Sequence, residues 1–476
     1  MHRLCVIAGR MVSIDKHSQI IDIARRMSFL RDFRAGLKES KSFSLYDSGP
    51  VANNLPDQAD IVIVGGGIMG SSIAFFLKRR TPLKVVVVER DPAYTRASTV
   101  LSAGGVRQQF SLPENIQMGM FGSEFLQNVK EYLTVDYADP PDVQFHRQGY
   151  LFLASEKGAD ALLENVKVQR ENGVDTQVLS AAQLKDKFPW LNTDDLEIGG
   201  YGVNTEGWFD PWSLLDAFKR KAMSLGVEYV HGEVTGAFVK EGKLSTDTAD
   251  SANSSKIKYL EISLPNSPEV VPLVCGTVIN AAGPHTADFA RLLKIGLDEG
   301  DMAAPLPVEP RKRYVFAFHS PNGPGIECPF VIDHTGTYFR REGLGGVYLS
   351  GLLSQSKEEE PSTNDLQVDY QWFDDKIWPR LAHRVPSFEN LKVRNAWAGF
   401  NDYNTLDQNA IIGQHPAITN LYFINGFSGH GIMQGPAAGR AVSELILDGK
   451  FTSIDLSRFS FQRVVDNQPH FERKIV

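Results

Sequence analysis

The run Asp60-Ile-Val-Ile-Val-Gly65-Gly66-Gly67-Ile68-Met69-Gly70 sets three glycines where a chain must turn, approach a phosphate and pack closely. Gly65 permits a tight turn out of a strand. Gly67 leaves the backbone bare for a pyrophosphate, and Gly70 lets a helix lie against the strand. The helix start at Ile68 and Met69 presents free N–H groups and positive potential to the phosphates. Glu89, followed by Arg90, closes the next apolar run. A carboxylate at that spacing accepts hydrogen bonds from ribose hydroxyls. These residues predict a dinucleotide site without separating FAD from NAD.

Three further segments have the composition of a backbone pressed against an extended cofactor. The first is Ala97-Ser98-Thr99-Val-Leu101-Ser102-Ala103-Gly104-Gly105-Val-Arg107, small and hydroxyl-rich, with Arg107 to meet a phosphate or a polar ring edge. The second is Val278-Ile-Asn280-Ala281-Ala282-Gly283, a strand ending in small residues. The third is Asn425-Gly426-Phe-Ser428-Gly429-His430-Gly431-Ile432, which ends one apolar run and opens a helix. A glycine-rich helix start can point N–H groups at an electron-rich ring carbonyl.

The elements that must hold these segments are legible in outline. Asp60–Gly67 and Lys84–Val88 read as buried strands flanking a helix over Gly70–Arg80, a βαβ opening that implies a parallel sheet. Cys275–Asn280 and Leu421–Asn425 read as further strands. Glu114–Leu133, Pro211–Leu225 and Leu366–Trp378 read as helices. Alternation over Tyr150–Leu153, Tyr314–Phe318 and Val331–Tyr338 implies a second, antiparallel sheet. The predicted fold class is α/β: a Rossmann-like dinucleotide-binding domain with a parallel sheet, plus an inserted antiparallel-sheet substrate or cap domain, which the resemblance given below makes FAD-binding and D-amino-acid oxidase-like. The cofactor domain is assigned to 58–140, 199–300 and 392–476, the cap to 141–198 and 301–391, and a basic leader to 1–57.

Composition narrows the partners. The 476 residues carry a formal net charge of −8, so a basic nucleic-acid-binding surface over the molecule is not expected. Three cysteines without a CxxC pair exclude a disulfide framework. His2, His17, His285 and His415 are scattered, so no metal site is expected. Cys275, in an apolar run, reads as core rather than reactive thiol. The charge-free stretch Ile61–Leu77 is short and glycine-interrupted, so no transmembrane span is expected. In the first fifty residues nine Lys/Arg face five acids, and Ile20, Ile23, Met27, Leu30 and Leu37 recur at helical spacing. That pattern predicts a mitochondrial presequence or tether, with a surface helix or tail as the plainer reading.

Taken together, the GGGIMG turn, Glu89, the STVLSAGG run, INAAG and GFSGHG resemble the D-amino-acid oxidase superfamily, in its sarcosine oxidase and dimethylglycine dehydrogenase branch, from about Asp60 to Phe459. The resemblance implies FAD as cofactor and oxidation of a C–N bond in a small amine. It places Arg107 and His430 beside the isoalloxazine, with Tyr338 and Arg340 on a strand roofing it and Arg311 and Arg313 starting another. The runs Gln109–Gln117, Glu206–Trp212, Pro307–Tyr314 and Tyr403–Asn409 are similar to animal mitochondrial members of this superfamily. That closer likeness implies a mitochondrial protein, in the matrix or peripheral at the inner membrane, whose partners are complex I subunits or assembly intermediates. Three positions depart from the branch. Met433 stands where the resemblance expects a lysine for a substrate carboxylate. Phe400 and Leu101 stand where relatives tether flavin to cysteine or histidine. The departures imply non-covalent FAD and an altered substrate pocket.

Overall fold

The computed structural model describes residues 55–476, apart from 241–254, 266, 298, 354–359 and 476. The amphipathic segment expected near the start lies outside the described residues.

Strand β1 (Gln58–Val64), helix α1 (Ile68–Lys78) and strand β2 (Val85–Glu89) form the predicted βαβ unit, with Ile61 to Val64 paired in parallel to Val85 to Val88. Every residue from Ile61 to Val64 is buried because the sheet is covered on both faces. Strand alternation sends Ile61 and Ile63 to one core, shared with α1, and Val62 and Val64 to the other, shared with Phe289 and Phe423. The strand order is Ile411–Gln414, Leu421–Asn425, Val270–Asn280, β1, β2, Glu228–His231, all parallel except the Ile411–Gln414 edge. Chain connections leave β1 to opposite sides, toward β2 and later toward Val270–Asn280. A crevice therefore opens at the carboxyl end of β1, where dinucleotides bind in such sheets.

The second sheet also has eight strands among the described residues. It is antiparallel except where Phe330–Ile332 runs parallel to Tyr150–Ala154. Gly199–Gly202 and Lys392–Asn404, assigned to the cofactor domain from sequence, hydrogen-bond into this sheet. Lys392–Asn404 pairs along its whole length with Val308–His319, and this long ladder carries it from the cap toward the cofactor crevice.

Local chemistry corrects three predicted elements. The Glu114–Leu133 helix breaks at Asn128, whose side-chain amide donates to the Glu124 carbonyl at 3.0 Å, giving Pro113–Gln127 and Val129–Leu133. Val331–Tyr338 is not one strand. Asp333 accepts from the Thr335 amide and Gly336 takes φ +82°, so the chain reverses into Thr337–Glu342. The Leu366–Trp378 helix starts only at Tyr370, capped by Asp369. It widens over Phe373–Ile377 before Trp378–Arg384, where Pro379 lacks the amide that an α-turn needs. Among the described residues no helix is long and apolar enough to cross a membrane.

Candidate functional site

The terminal helix Gly431–Asp448 crosses α1 closely because its contact positions are small. A Cβ on Gly439 would fall 2.2 Å from Ser72 Oγ, and one on Gly435 would fall 2.9 Å from Ile68 Cγ1. Ser72 Oγ locks the crossing by donating to the Gly435 carbonyl at 2.9 Å. This crossing holds the GFSGHG turn beside the fingerprint turn.

Each fingerprint glycine has a different reason to lack a side chain. Gly65 has φ +100°, and its Cβ would lie 2.5 Å from the Ala281 carbonyl oxygen. A Cβ on Gly70 would lie 1.9 Å from the Gly65 carbonyl oxygen. Gly67 meets only Thr99 Oγ1, at 3.3 Å, so this side of the turn is open. Thr99 Oγ1 accepts from the Ile68 amide at 3.1 Å, and among the described residues none supplies an acceptor for the amides of Gly67 or Met69. A bare turn with unpaired helix-start amides fits a pyrophosphate.

Glu89 accepts from the Gly66 amide at 2.7 Å and from the Asp91 amide at 2.8 Å. It therefore shapes the turn as well as offering lone pairs to a ribose. Burial pushes its pKa up against those two bonds. Beneath it lies a cluster with no sequence signature. The Lys219 ammonium sits 5.4 Å from the Tyr94 ring centre and 5.6 Å from that of Tyr229, and burial lowers its pKa. Tyr229 donates to Ser71 Oγ, which donates to the Gly66 carbonyl. Arg90 points away, 3.6 Å from Glu233 on the surface.

The STVLSAGG run docks on the long cap strand. Ser98 Oγ donates to the Phe400 carbonyl, and Trp397 Nε1 donates to the Leu101 carbonyl at 2.8 Å. Ser102 Oγ accepts from the Gly104 amide, and position 104 requires glycine because its φ is +70° and a Cβ would meet the Phe209 carbonyl oxygen at 2.2 Å. Gly105 pairs with Trp208. Arg340 reaches across to donate to the Ala103 carbonyl at 2.7 Å, tying the roof strand to this run. Its neighbour Arg341 faces the other way and holds the carbonyls of Pro324, Gly343 and Leu344. Tyr338 stacks on Phe330, which stacks on Tyr150. Arg311 and Arg313 both pair with Glu360. On the INAAG strand, the Ala282 amide donates to Asn280 Oδ1, and Gly283 adopts φ +54° with open space around it.

Arg107 and His430, 323 residues apart in sequence, meet with Nη2 and Nε2 at 3.1 Å. Since a guanidinium only donates, His430 accepts at Nε2 and carries its proton on Nδ1. Burial, aided by Arg107, pushes the His430 pKa down to about 3, so the ring is neutral at physiological pH. Arg107 also donates to the Gln109 carbonyl and lies over the Phe110 ring, 3.9 Å from its centre. Phe110 stands edge-on to His430 at 5.2 Å. These partners of Arg107 are a carbonyl, an imidazole and a ring, none of them anionic.

Two carboxylates that the sequence did not single out hold this end. Asp402 Oδ2 accepts from the amides of Gly426 and Phe427, at 2.8 and 3.1 Å. Ser428 Oγ accepts from the Asn404 amide, and the two contacts pin the GFSGHG turn with Ser428 at φ +52° and Gly429 at φ +100°. Ile432 and Met433 follow as buried residues of the helix's first turn. Glu206, with no exposed surface, accepts from the Gln108 amide at 2.6 Å and from Gln109 Nε2 at 2.8 Å.

A parallel sheet with an open fingerprint turn, a carboxylate closing its second strand and a second sheet over the far end is the arrangement of a dinucleotide-dependent oxidoreductase. A family model described as "FAD dependent oxidoreductase" matches residues 60–445, and the chain belongs to that family, whose cofactor is FAD. It is 53% identical to the Xenopus laevis FAD-dependent oxidoreductase domain-containing protein 1 over 90% of this chain and 87% of that one. It is 23% identical to the mitochondrial sarcosine dehydrogenase of Mus musculus, over 89% of this chain and 43% of that one. Among solved structures, the L-proline dehydrogenase of P. horikoshii superposes with a TM-score of 0.72 at 25% identity, covering 87% of this chain and all of that one. The predicted fold class and cofactor hold. Cys275 is buried, and burial pushes its thiol up to about 12, as a core residue requires.

Proposed function

We propose that this chain is a mitochondrial FAD-binding protein that serves the assembly or stability of respiratory complex I. The observation that carries the reading is a complete cofactor cradle joined to an altered substrate wall. Met433, where the resemblance expects a cation for a substrate carboxylate, is buried in the first turn of the terminal helix. The near full-length likeness to FAD-dependent oxidoreductase domain-containing protein 1 supports the same reading. Partners under this proposal are complex I subunits or assembly intermediates, met in the matrix or at the inner membrane.

When bound, FAD supplies a two-electron acceptor. The chain's own residues bind and orient it. Gly67 and the α1 amides would hold the pyrophosphate, Glu89 the ribose, and Arg107 with neutral His430 the polar edge of the ring. The test is rescue of complex I in cells lacking the protein. Arg107→Ala protein that keeps its flavin and restores the complex supports an FAD-braced assembly role. Failure of the wild-type protein to recover complex I subunits or intermediates on affinity purification from mitochondria would sink the proposal.

A second reading, an FAD-dependent amine or amino-acid dehydrogenase, is favoured by Arg107, a half-buried cation without an anionic partner among the contacts above. Anaerobic bleaching of the flavin by one of a panel of N-methyl and amino acids supports it. No bleaching by any of them counts against it.

A further inference from the structure

Arg107, half-buried, and Glu206, fully buried, are opposite charges in the same wall without touching. Gln109 stands between them and is bonded to both. Its backbone carbonyl accepts from Arg107 Nη1, and its side-chain amide donates to Glu206 Oε2 at 2.8 Å. The same amide donates to the Tyr150 carbonyl at 2.9 Å, which fixes the rotamer. The second Glu206 oxygen accepts from the Gln108 amide at 2.6 Å. Thr205, next to Glu206, donates to Gln108 Oε1. The loop that carries Arg107 is thus seated on one carboxyl group.

Such an arrangement is expensive to leave uncompensated. A fully buried carboxylate needs donors and a cation, and here two donors are direct and the cation is one link away. The groups that face Glu206 are Arg107 on its loop, Tyr150 on its strand and Tyr201 on the neighbouring strand. Arg107 in turn feels Glu472 and His430. Burial pushes the Glu206 pKa up to about 7 against the bonds from Gln108 and Gln109. His430, held near 3, and the tyrosines, raised above their ordinary value, do not titrate in that range.

We propose that Glu206 is a positioning residue whose charge state sets the seat and the field of Arg107 at the flavin end of the FAD site, with Gln109 as the rigid link. The proposal rests on the reading that Arg107 lies beside the isoalloxazine. When Glu206 is ionised it accepts from both Gln108 and Gln109, holds the loop in the arrangement seen here and offsets part of the Arg107 charge. When it is protonated, the oxygen that takes the proton becomes a donor facing a donor, either the Gln108 amide or Gln109 Nε2. One of those bonds is lost, and Arg107 acts on the ring as an unbalanced cation.

The test is the visible absorption spectrum of the full-length FAD-loaded protein, titrated between pH 5.5 and 8.5. The wild type should show one spectral transition near neutrality. Glu206→Gln should abolish it while FAD stays bound, and His430→Asn should retain it. If Glu206→Gln does not fold, Gln109→Leu serves instead. Removing that donor from the carboxylate should raise the midpoint by about one to two pH units. A merely structural Glu206 would produce neither effect. Arg107→Gln separates the proposal from the reading beneath it. A flavin spectrum unchanged by Arg107→Gln at every pH means that Arg107 is not at the ring. An altered spectrum in Arg107→Gln, with the transition surviving in Glu206→Gln or the midpoint unmoved in Gln109→Leu, overturns the Glu206 assignment alone. A wild type with no transition also overturns it.

Discussion

At the residue scale, Glu89 has two tasks, and its loss should show both. It accepts from the Gly66 amide and presents its remaining lone pairs to the crevice. Glu89→Ala should weaken FAD by roughly 1–3 kcal/mol, about 5–150-fold in Kd, measured by fluorescence titration of the apoprotein. Wild-type affinity would remove Glu89 from the ribose. Gly70→Ala tests the turn itself. The added carbon would sit 1.9 Å from a backbone oxygen that cannot swing aside. The expected loss in denaturant unfolding is about 1–3 kcal/mol or more. His430 gives a pH dependence of known sign. Its pKa falls from about 6.5 unfolded to about 3 folded, so the unfolded chain binds the extra proton between those values. Its contribution to stability is whole above pH 6.5 and drains as the pH drops toward 3. His430→Asn should flatten the unfolding free energy over that window.

At the element scale, the site depends on turns held by distant strands. Asp402 belongs to the long cap strand yet fixes the first two amides of GFSGHG. Burial raises its pKa to about 6. Asp402→Asn keeps the shape but replaces one acceptor oxygen with an NH2 donor and removes the charge. The purified variant should lose FAD occupancy, read as the ratio of flavin to protein absorbance, while circular dichroism stays native. Ser98 donates to the Phe400 carbonyl of that strand, and Trp397 on the strand donates back to the Leu101 carbonyl, so the segments carrying Leu101 and Phe400 are held together and both positions where the resemblance expects a tether are hydrocarbon. Acid precipitation should therefore release all flavin into the supernatant. Fluorescence left on the denatured band would show a covalent link from some other residue.

At the scale of the whole molecule, bound FAD would bridge segments from β1 to the terminal helix and so should act as a brace. At a free concentration one hundred times its Kd, FAD adds about 2.7 kcal/mol to the folded state. Thermal melts of apo and loaded protein should differ by several degrees, and an identical Tm would mean that the cofactor is not seated in this cradle. The basic leader assigned to 1–57 is expected to be separable from that brace. Protein lacking residues 1–54 should still bind FAD, and the same deletion should abolish mitochondrial import of the full chain. Retained import would remove the presequence assignment.

Short-range chemistry made much of this protein legible from its residues in order. The strand, glycine turn, helix and acid from Asp60 to Glu89 interact within thirty residues, so spacing alone declares them. The small-residue runs at Ala97, Asn280 and Gly426 announce close backbone approach even without partners. Spacing cannot announce a contact made between distant segments. Glu206 meets Gln108 across 98 positions, and Arg107 meets His430 across 323, with no periodicity to join them. Glu206 was visible only as the first residue of an EGWFDP run, and Asp402 only as one polar residue in a strand. Lys219 reads like any helix lysine until the Pro211–Ser224 helix that carries it packs its ammonium beside the rings of Tyr94 and Tyr229. The turn at Asp333 and the break at Asn128 hid for another reason. A single side-chain hydrogen bond outweighed a propensity that the flanking residues shared. The amino-acid order determined which residues could cradle a dinucleotide. Only the tertiary fold decided which buried charges stand around its far end, because desolvation and pairing depend on neighbours that the chain brings together last.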